Sequence, residues 1–66
     1  MPHIAVIMLP GKDEATKKDL AQKLQDLFVA ETNLPRAAVT VSMNEVVKEN
    51  LPTVMSKIPA ENRIEL

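Results

Sequence analysis

The sequence predicts an α/β (α+β) fold: a single β-α-β unit with parallel strands, a short C-terminal helical or extended segment, and completion by oligomerisation. Three observations predict it. An apolar run, Ile4 to Pro10, opens the chain. A helical stripe follows at Leu20, Leu24, Leu27 and Phe28. Beyond it, Val39, Val41 and Met43 alternate with Thr40, Ser42 and Asn44. Two strands separated by a helix of about five turns imply parallel pairing through a right-handed crossover.

Residues 3–9 form the first expected strand. Ile4, Val6 and Met8 point to one face, and His3, Ala5, Ile7 and Leu9 to the other. Apart from His3, both faces are apolar, the pattern of a strand covered on both sides. One helix covers one face only. In so short a chain, a second copy is the natural cover for the other.

Pro10-Gly11 ends this strand and turns the chain. Asp13 suits a helix N-cap, and Glu14 places an acidic group in the first turn. The helix spans 14–32. Lys17, Lys18, Gln22, Lys23 and Gln25 read mostly as its wet side. Asn33 supplies a left-handed stop, with Pro35 two residues beyond. Residues 38–44 form the second strand, with one packed face and one that is polar or lines a site. Pro52 suits the first turn of a short helix reaching about Lys57, with Asn50 as a possible cap, and Pro59 ends it. The tail, 60–66, lies along a neighbouring subunit or frays.

The chain has 66 residues, a single domain covering 1–66. A chain of this size buries only about 60% of its unfolded surface. Disulfides, a metal or a partner usually supply the missing stability. There is no Cys and only one His, so disulfides and an ordinary zinc site are excluded. Self-association remains. The net charge of -1 and the single aromatic, Phe28, give no footprint for nucleic acid. The apolar run is too short to cross a membrane and lacks the flanks of a signal peptide. A cytoplasmic protein without metal or cofactor is expected.

The residue with most chemical promise is Pro2. With Met1 in place its nitrogen is a tertiary amide with no basicity. Methionine is normally removed ahead of a small second residue, and Pro2 then carries a free secondary amine. An unperturbed terminal amine titrates near pH ~8. Burial and cationic neighbours lower that value and suit the amine to act as a base.

The order Met1-Pro2, the strand His3 to Leu9, the turn Gly11-Lys12, the helix leucines, Asn33-Leu34-Pro35 and the strand Val39 to Glu45 together resemble the tautomerase superfamily, in particular its 4-oxalocrotonate tautomerase-like family. The resemblance covers nearly the whole chain. It implies that Pro2 is a general base moving a proton between the keto and enol forms of a small 2-keto or 2-hydroxy acid. It also implies carboxylate-binding arginines. Lys12 stands where one follows the turn glycine, and Thr40 where another sits in the second strand. Lysine keeps the charge but not the two-pronged grip. Leu51 matches an aromatic that lines the pocket. The site expected from the resemblance is therefore Pro2 as catalyst with Lys12, Thr40 and Leu51 as substrate-binding residues.

The hexameric members carry a glycine-rich hairpin near the C-terminus, whereas this chain's single glycine is Gly11. Dimer and hexamer are both open. The substrate implied is a small carboxylate bearing one carboxyl group. A competing reading is a non-catalytic, self-associating β-α-β module, favoured by Thr40 and Leu51 in place of the arginine and the aromatic. A third keeps Pro2 protonated, as an acid in hydration or dehalogenation of small unsaturated acids. His3 reads as a rim or contact residue. Arg36 and Arg63 read as surface charges, though either could replace the strand arginine.

Overall fold

The computed structural model describes residues 1–66. Two strands, β1 (His3–Met8) and β2 (Thr40–Glu45), pair in parallel across helix α1 (Glu14–Thr32). The register runs from His3 opposite Thr40 to Met8 opposite Glu45. A second, short helix, α2 (Leu51–Ser56), follows the far end of β2. Single 3-10 turns occupy Arg36–Ala38, Lys48–Asn50 and Ala60–Asn62. No helix is long and apolar enough to cross a membrane.

The ends of α1 are where the sequence puts them, for local reasons. Asp13 is extended, and its carboxylate accepts from the Thr16 amide at 2.8 Å. Hydrogen bonding from Thr16 holds the Asp13 carboxyl below its ordinary range. At the other end Asn33 adopts φ 59°, and its amide donates to the Val29 carbonyl. Gly11 takes φ +137°, a conformation closed to other residues, so the turn out of β1 depends on it.

Several boundaries differ from expectation. Leu9 lies outside β1 and is exposed. The second strand starts at Thr40 rather than at residue 38, because Arg36–Ala38 coil into a turn whose last amide bond, Val39 to the Arg36 carbonyl, precedes the ladder. The short helix begins at Leu51, with Pro52 in its first turn, and the Asn50 side chain makes no cap hydrogen bond.

The packed stripe of α1 also differs. Leu24 and Phe28 face inward as expected, but Leu20 and Leu27 are exposed. The inner stripe is Lys17, Ala21, Leu24, Gln25, Phe28 and Val29, which has the same helical period rotated toward the chain's polar residues. Lys17 and Gln25 are thus not wet-side residues. The Lys17 ammonium reaches Glu14 and Glu45, and the Gln25 amide donates to the carbonyls of Arg36 and Val39. These polar residues sit inward because they satisfy groups at the two ends of β2.

Burial is thin. Val39, 1% exposed, is the one fully buried residue. The radius of gyration is 13.3 Å, against about 11 Å for a compact chain of this length. The accessible surface is 5322 Å², where a compact monomer of this mass shows about 4,200 Å².

Candidate active site

Pro2 precedes β1 and is held by its backbone. The Thr40 amide donates to the Pro2 carbonyl at 3.2 Å, the first rung of the parallel ladder. Pro2 is half-buried, whereas Met1 is 96% exposed and accessible for removal. The strand thus presents residue 2 at a fixed place and leaves residue 1 hanging in solvent.

The parallel register gathers polar side chains on the face of the sheet away from α1. His3 lies opposite Thr40, Ala5 opposite Ser42, and Ile7 opposite Asn44. Both imidazole nitrogens are engaged: Nδ1 lies 2.7 Å from Thr40 Oγ1 and Nε2 2.9 Å from Ser42 Oγ. The Asn44 amide nitrogen donates to the Val6 carbonyl at 3.0 Å and to Ser42 Oγ at 2.8 Å. The expected polar face of β2 is therefore an organised network, joined to β1 through His3.

Lys12 belongs to the opposite end of the sheet. It follows Gly11 in the turn beyond Met8, the partner of Glu45. Lys17 holds the Glu45 carboxyl below its ordinary range, so the first turns of α1 are tied to the end of β2. Leu51, half-buried, opens α2, which packs mainly on the turn before it. The structure thus brings Pro2 and Thr40 together and leaves Lys12 and Leu51 past the other end of the strands. A six-residue strand spans roughly 20 Å.

The other basic residues take structural roles or none. Arg36 pairs with Asp26 and also donates to Gln25 Oε1 at 3.1 Å. That guanidinium, then Gln22, holds the Asp26 carboxyl low. Arg63 lines a wet recess of the tail with Ala60, Ile64 and Glu65. A shallow groove of about 330 Å³ between α1 and β2 is lined by Lys18, Gln22, Gln25, Val39 and Thr40 among others. Neither Pro2, Lys12 nor Leu51 borders it. No three or more His, Asp or Glu side chains are grouped to hold a metal ion.

Two features escaped the sequence reading: the His3–Thr40–Ser42–Asn44 network and the inward Lys17. The first had a signal. Once β1 and β2 are read as parallel strands of equal length, His3 and Thr40 open them together and share a face.

Comparison with known proteins supports the same assignment. Residues 2–53 match a family model described as "Tautomerase enzyme". The chain is also 40% identical over 50 residues to a 2-hydroxymuconate tautomerase of Pseudomonas putida, an alignment covering 76% of this chain and 79% of that protein. No solved structure matches. With most of its length matched, and with the β-α-β unit that the sequence resemblance implied, the chain belongs to the tautomerase family of isomerases.

Proposed function

We propose that this tautomerase interconverts the keto and enol forms of a small 2-keto or 2-hydroxy acid bearing one carboxylate. The amine of Pro2, freed by loss of Met1, is the general base. The observation that carries the reading is the placement of Pro2: half-buried, fixed through its own carbonyl by Thr40, and followed by a rigid strand. The match to the family model also begins at Pro2.

The chemistry needs a base and a group that holds charge as the enolate develops. Pro2 takes a proton from the carbon next to the carbonyl, or from the enol hydroxyl in the reverse direction, and returns it at the other position. Lys12 binds the carboxylate or polarises the carbonyl, and backbone amides complete the oxyanion contacts. Thr40 stands at the mouth, and Leu51 supplies apolar wall.

The sheet separates Pro2 from Lys12 by roughly 20 Å, far more than a small acid spans. The complete site therefore combines Pro2 of one protomer with Lys12 of another, in a dimer or a hexamer. The surplus accessible surface and the thin core support this assembly.

The test is ketonisation of phenylenolpyruvate, followed in the ultraviolet, with protein shown by mass to lack Met1. Acceleration by the wild type, with most of it lost in Pro2→Ala, supports the amine base. Equal rates for both, at the buffer level, sink the reading for this substrate class.

A further inference from the structure

We propose that the open edge of β2 is a docking strip for residues 63–66 of a second copy, which add a third strand to the sheet and set their end carboxylate against Lys18. This rests on the assembly proposed above and makes no use of the chemistry at Pro2.

The sheet has two strands, so β2 is paired on one side only. The rungs show which of its groups are left over. The Thr40 amide donates to the Pro2 carbonyl, and the Val46 amide to the Met8 carbonyl. Backbone groups of successive strand residues point to opposite sides, so the even residues of β2 face β1. The N–H and C=O of Val41 and Met43 face outward, and neither amide donates to a turn or a loop. Sheets usually guard such an edge with Pro, Lys or a bulge. Thr40–Glu45 holds neither Pro nor Lys, and its register with β1 is unbroken.

The tail has the matching deficit. After the turn at Ala60–Asn62 the backbone is extended at Arg63, with φ -83° and ψ 129°. Ile64, Glu65 and Leu66 make no backbone hydrogen bond. Ile64 is 78% exposed and Leu66 wholly exposed.

Two features fit the tail to this edge. The first is alternation. In an extended tail Ile64 and Leu66 share one side, and Arg63 and Glu65 the other. β2 alternates in the same way, with Val41 and Met43 on the α1 side and Thr40, Ser42 and Asn44 on the open side. A tail laid along the edge sets Ile64 and Leu66 against the groove between α1 and β2, whose apolar wall is Ala21, Val39 and Val41. Arg63 and Glu65 fall on the polar side. The second feature is charge. Lys18 lines the groove and is the one lysine of α1 without an ion pair, since Lys17 holds Glu14 and Glu45, and Lys23 holds Asp19. The end carboxylate of Leu66 supplies the missing anion. Groove and cation lie along β2 and not along β1, which decides between the two edges of the sheet. Main-chain bonds then give the contact its affinity, and the alternate side chains its register. Two copies that exchange tails this way close as a two-fold dimer.

The test is a mixed-label sample of the full chain, half of it deuterated and nitrogen-15 labelled, half unlabelled. Nuclear Overhauser contacts are expected from the Ile64 and Leu66 methyl groups of one copy to the Val41 and Met43 amides of another. Such contacts within a single chain, or none in an assembled protein, overturn the proposal. Amide exchange is the second readout. Joint Ile64→Asp and Leu66→Asp substitution should speed exchange at Val41 and Met43 about tenfold or more, and Lys18→Glu about fivefold. Ser42, whose amide faces β1, should change little. Unchanged rates at Val41 and Met43 overturn the proposal. Where Ser42 also loses protection the variant has lost its fold, and the mixed-label result on the wild type decides. A wild-type mass of one chain sinks the assembly and the tail exchange together, whereas a larger mass without the intermolecular contacts removes the tail exchange alone.

Discussion

The Lys17 ammonium reaches the carboxylate of Glu45, 28 residues along the chain, at 2.9 Å and so ties α1 to the end of β2. The same ammonium holds Glu14 at 2.7 Å. Lys17 is 14% exposed and Glu45 30%, whereas the Lys23–Asp19 pair is 71% and 65% exposed. Salt therefore screens the first pair less than the second.

The Lys17–Glu45 pair makes stability depend on pH at both ends. The Glu45 carboxyl is depressed, chiefly by Lys17, so its contribution is complete above the unfolded glutamate value, about 4.3, and is lost as pH falls through the lower folded value. The Lys17 ammonium is raised, by Glu14 first and Glu45 next. Its contribution is complete below the unfolded lysine value, about 10.4, and is lost as pH rises through the higher folded one. The melting temperature of Glu45→Gln should lie a few degrees below wild type between roughly pH 5 and 10, and the gap should close in stronger acid. Thermal melts across that range check it. A gap that persists in strong acid means that the carboxylate charge is not the cause.

Lys12 gives a second prediction. Lys12→Ala removes the charge from the carboxylate and should raise KM about tenfold or more. Lys12→Arg restores charge and adds a flat two-pronged donor, so it should bind a carboxylate at least as well as wild type. Because Pro2 and Lys12 lie at opposite ends of one sheet, the two defects should complement each other across copies. Assayed at substrate well below the raised KM, mixed and re-annealed Pro2→Ala and Lys12→Ala chains, the first nearly inactive and the second about tenfold weakened, should reach about a quarter of the wild-type rate if the unit is a dimer. No recovery after proven exchange of subunits places both residues of a site on one chain.

The fold was legible because its signals are local. The helix 14–32 rests on Asp13, whose cap bond is in place, and on Asn33, whose φ of 59° matches the left-handed stop. Parallel pairing followed from chain order alone. What the sequence hid depends on rotation and register. The inner stripe of α1 could not be told from the leucines, since Lys17 and Gln25 turn inward to satisfy Glu45 and the Val39 carbonyl, and Leu20 and Leu27 turn out. The resemblance proposes residue types for the site, and the sequence alone does not show where they lie. Pro2 and Lys12 look close in sequence, and only the straight run of β1 between them shows that one chain cannot unite them.

Val39 carries the third prediction. It is the single fully buried side chain, set between α1 and the start of β2, where Gln25 holds its carbonyl. Val39→Ala removes two buried carbons with few neighbours able to close the gap, a loss of about 2 kcal/mol. For a domain this small that lowers the melting temperature by roughly 10 °C. Melting at fixed protein concentration checks it. A fall of only a degree or two would mean that the assembly, rather than this core, holds the chain together.

Ile7 tests the assembly directly. It lies opposite Asn44 on the face of the sheet that α1 leaves uncovered, with Ala5 two residues back on the same face. On the proposed assembly, a second copy seated there would cover Ala5 and Ile7. If copies meet there, Ile7→Glu puts a carboxylate into an apolar contact and should break it, because burying an unpaired charge is costly. The expected result is a solution mass close to the 7.3 kDa of one chain, with reduced helical signal and, on the proposed shared site, a large loss of tautomerase activity. Leu27→Glu is the control: Leu27 is 60% exposed on α1, and the change should leave mass and rate as they were. If Ile7→Glu keeps the wild-type mass while Leu27→Glu breaks the assembly, copies meet through the helices. The open face of the sheet is then bare, and the shared site must be rebuilt around the other surface.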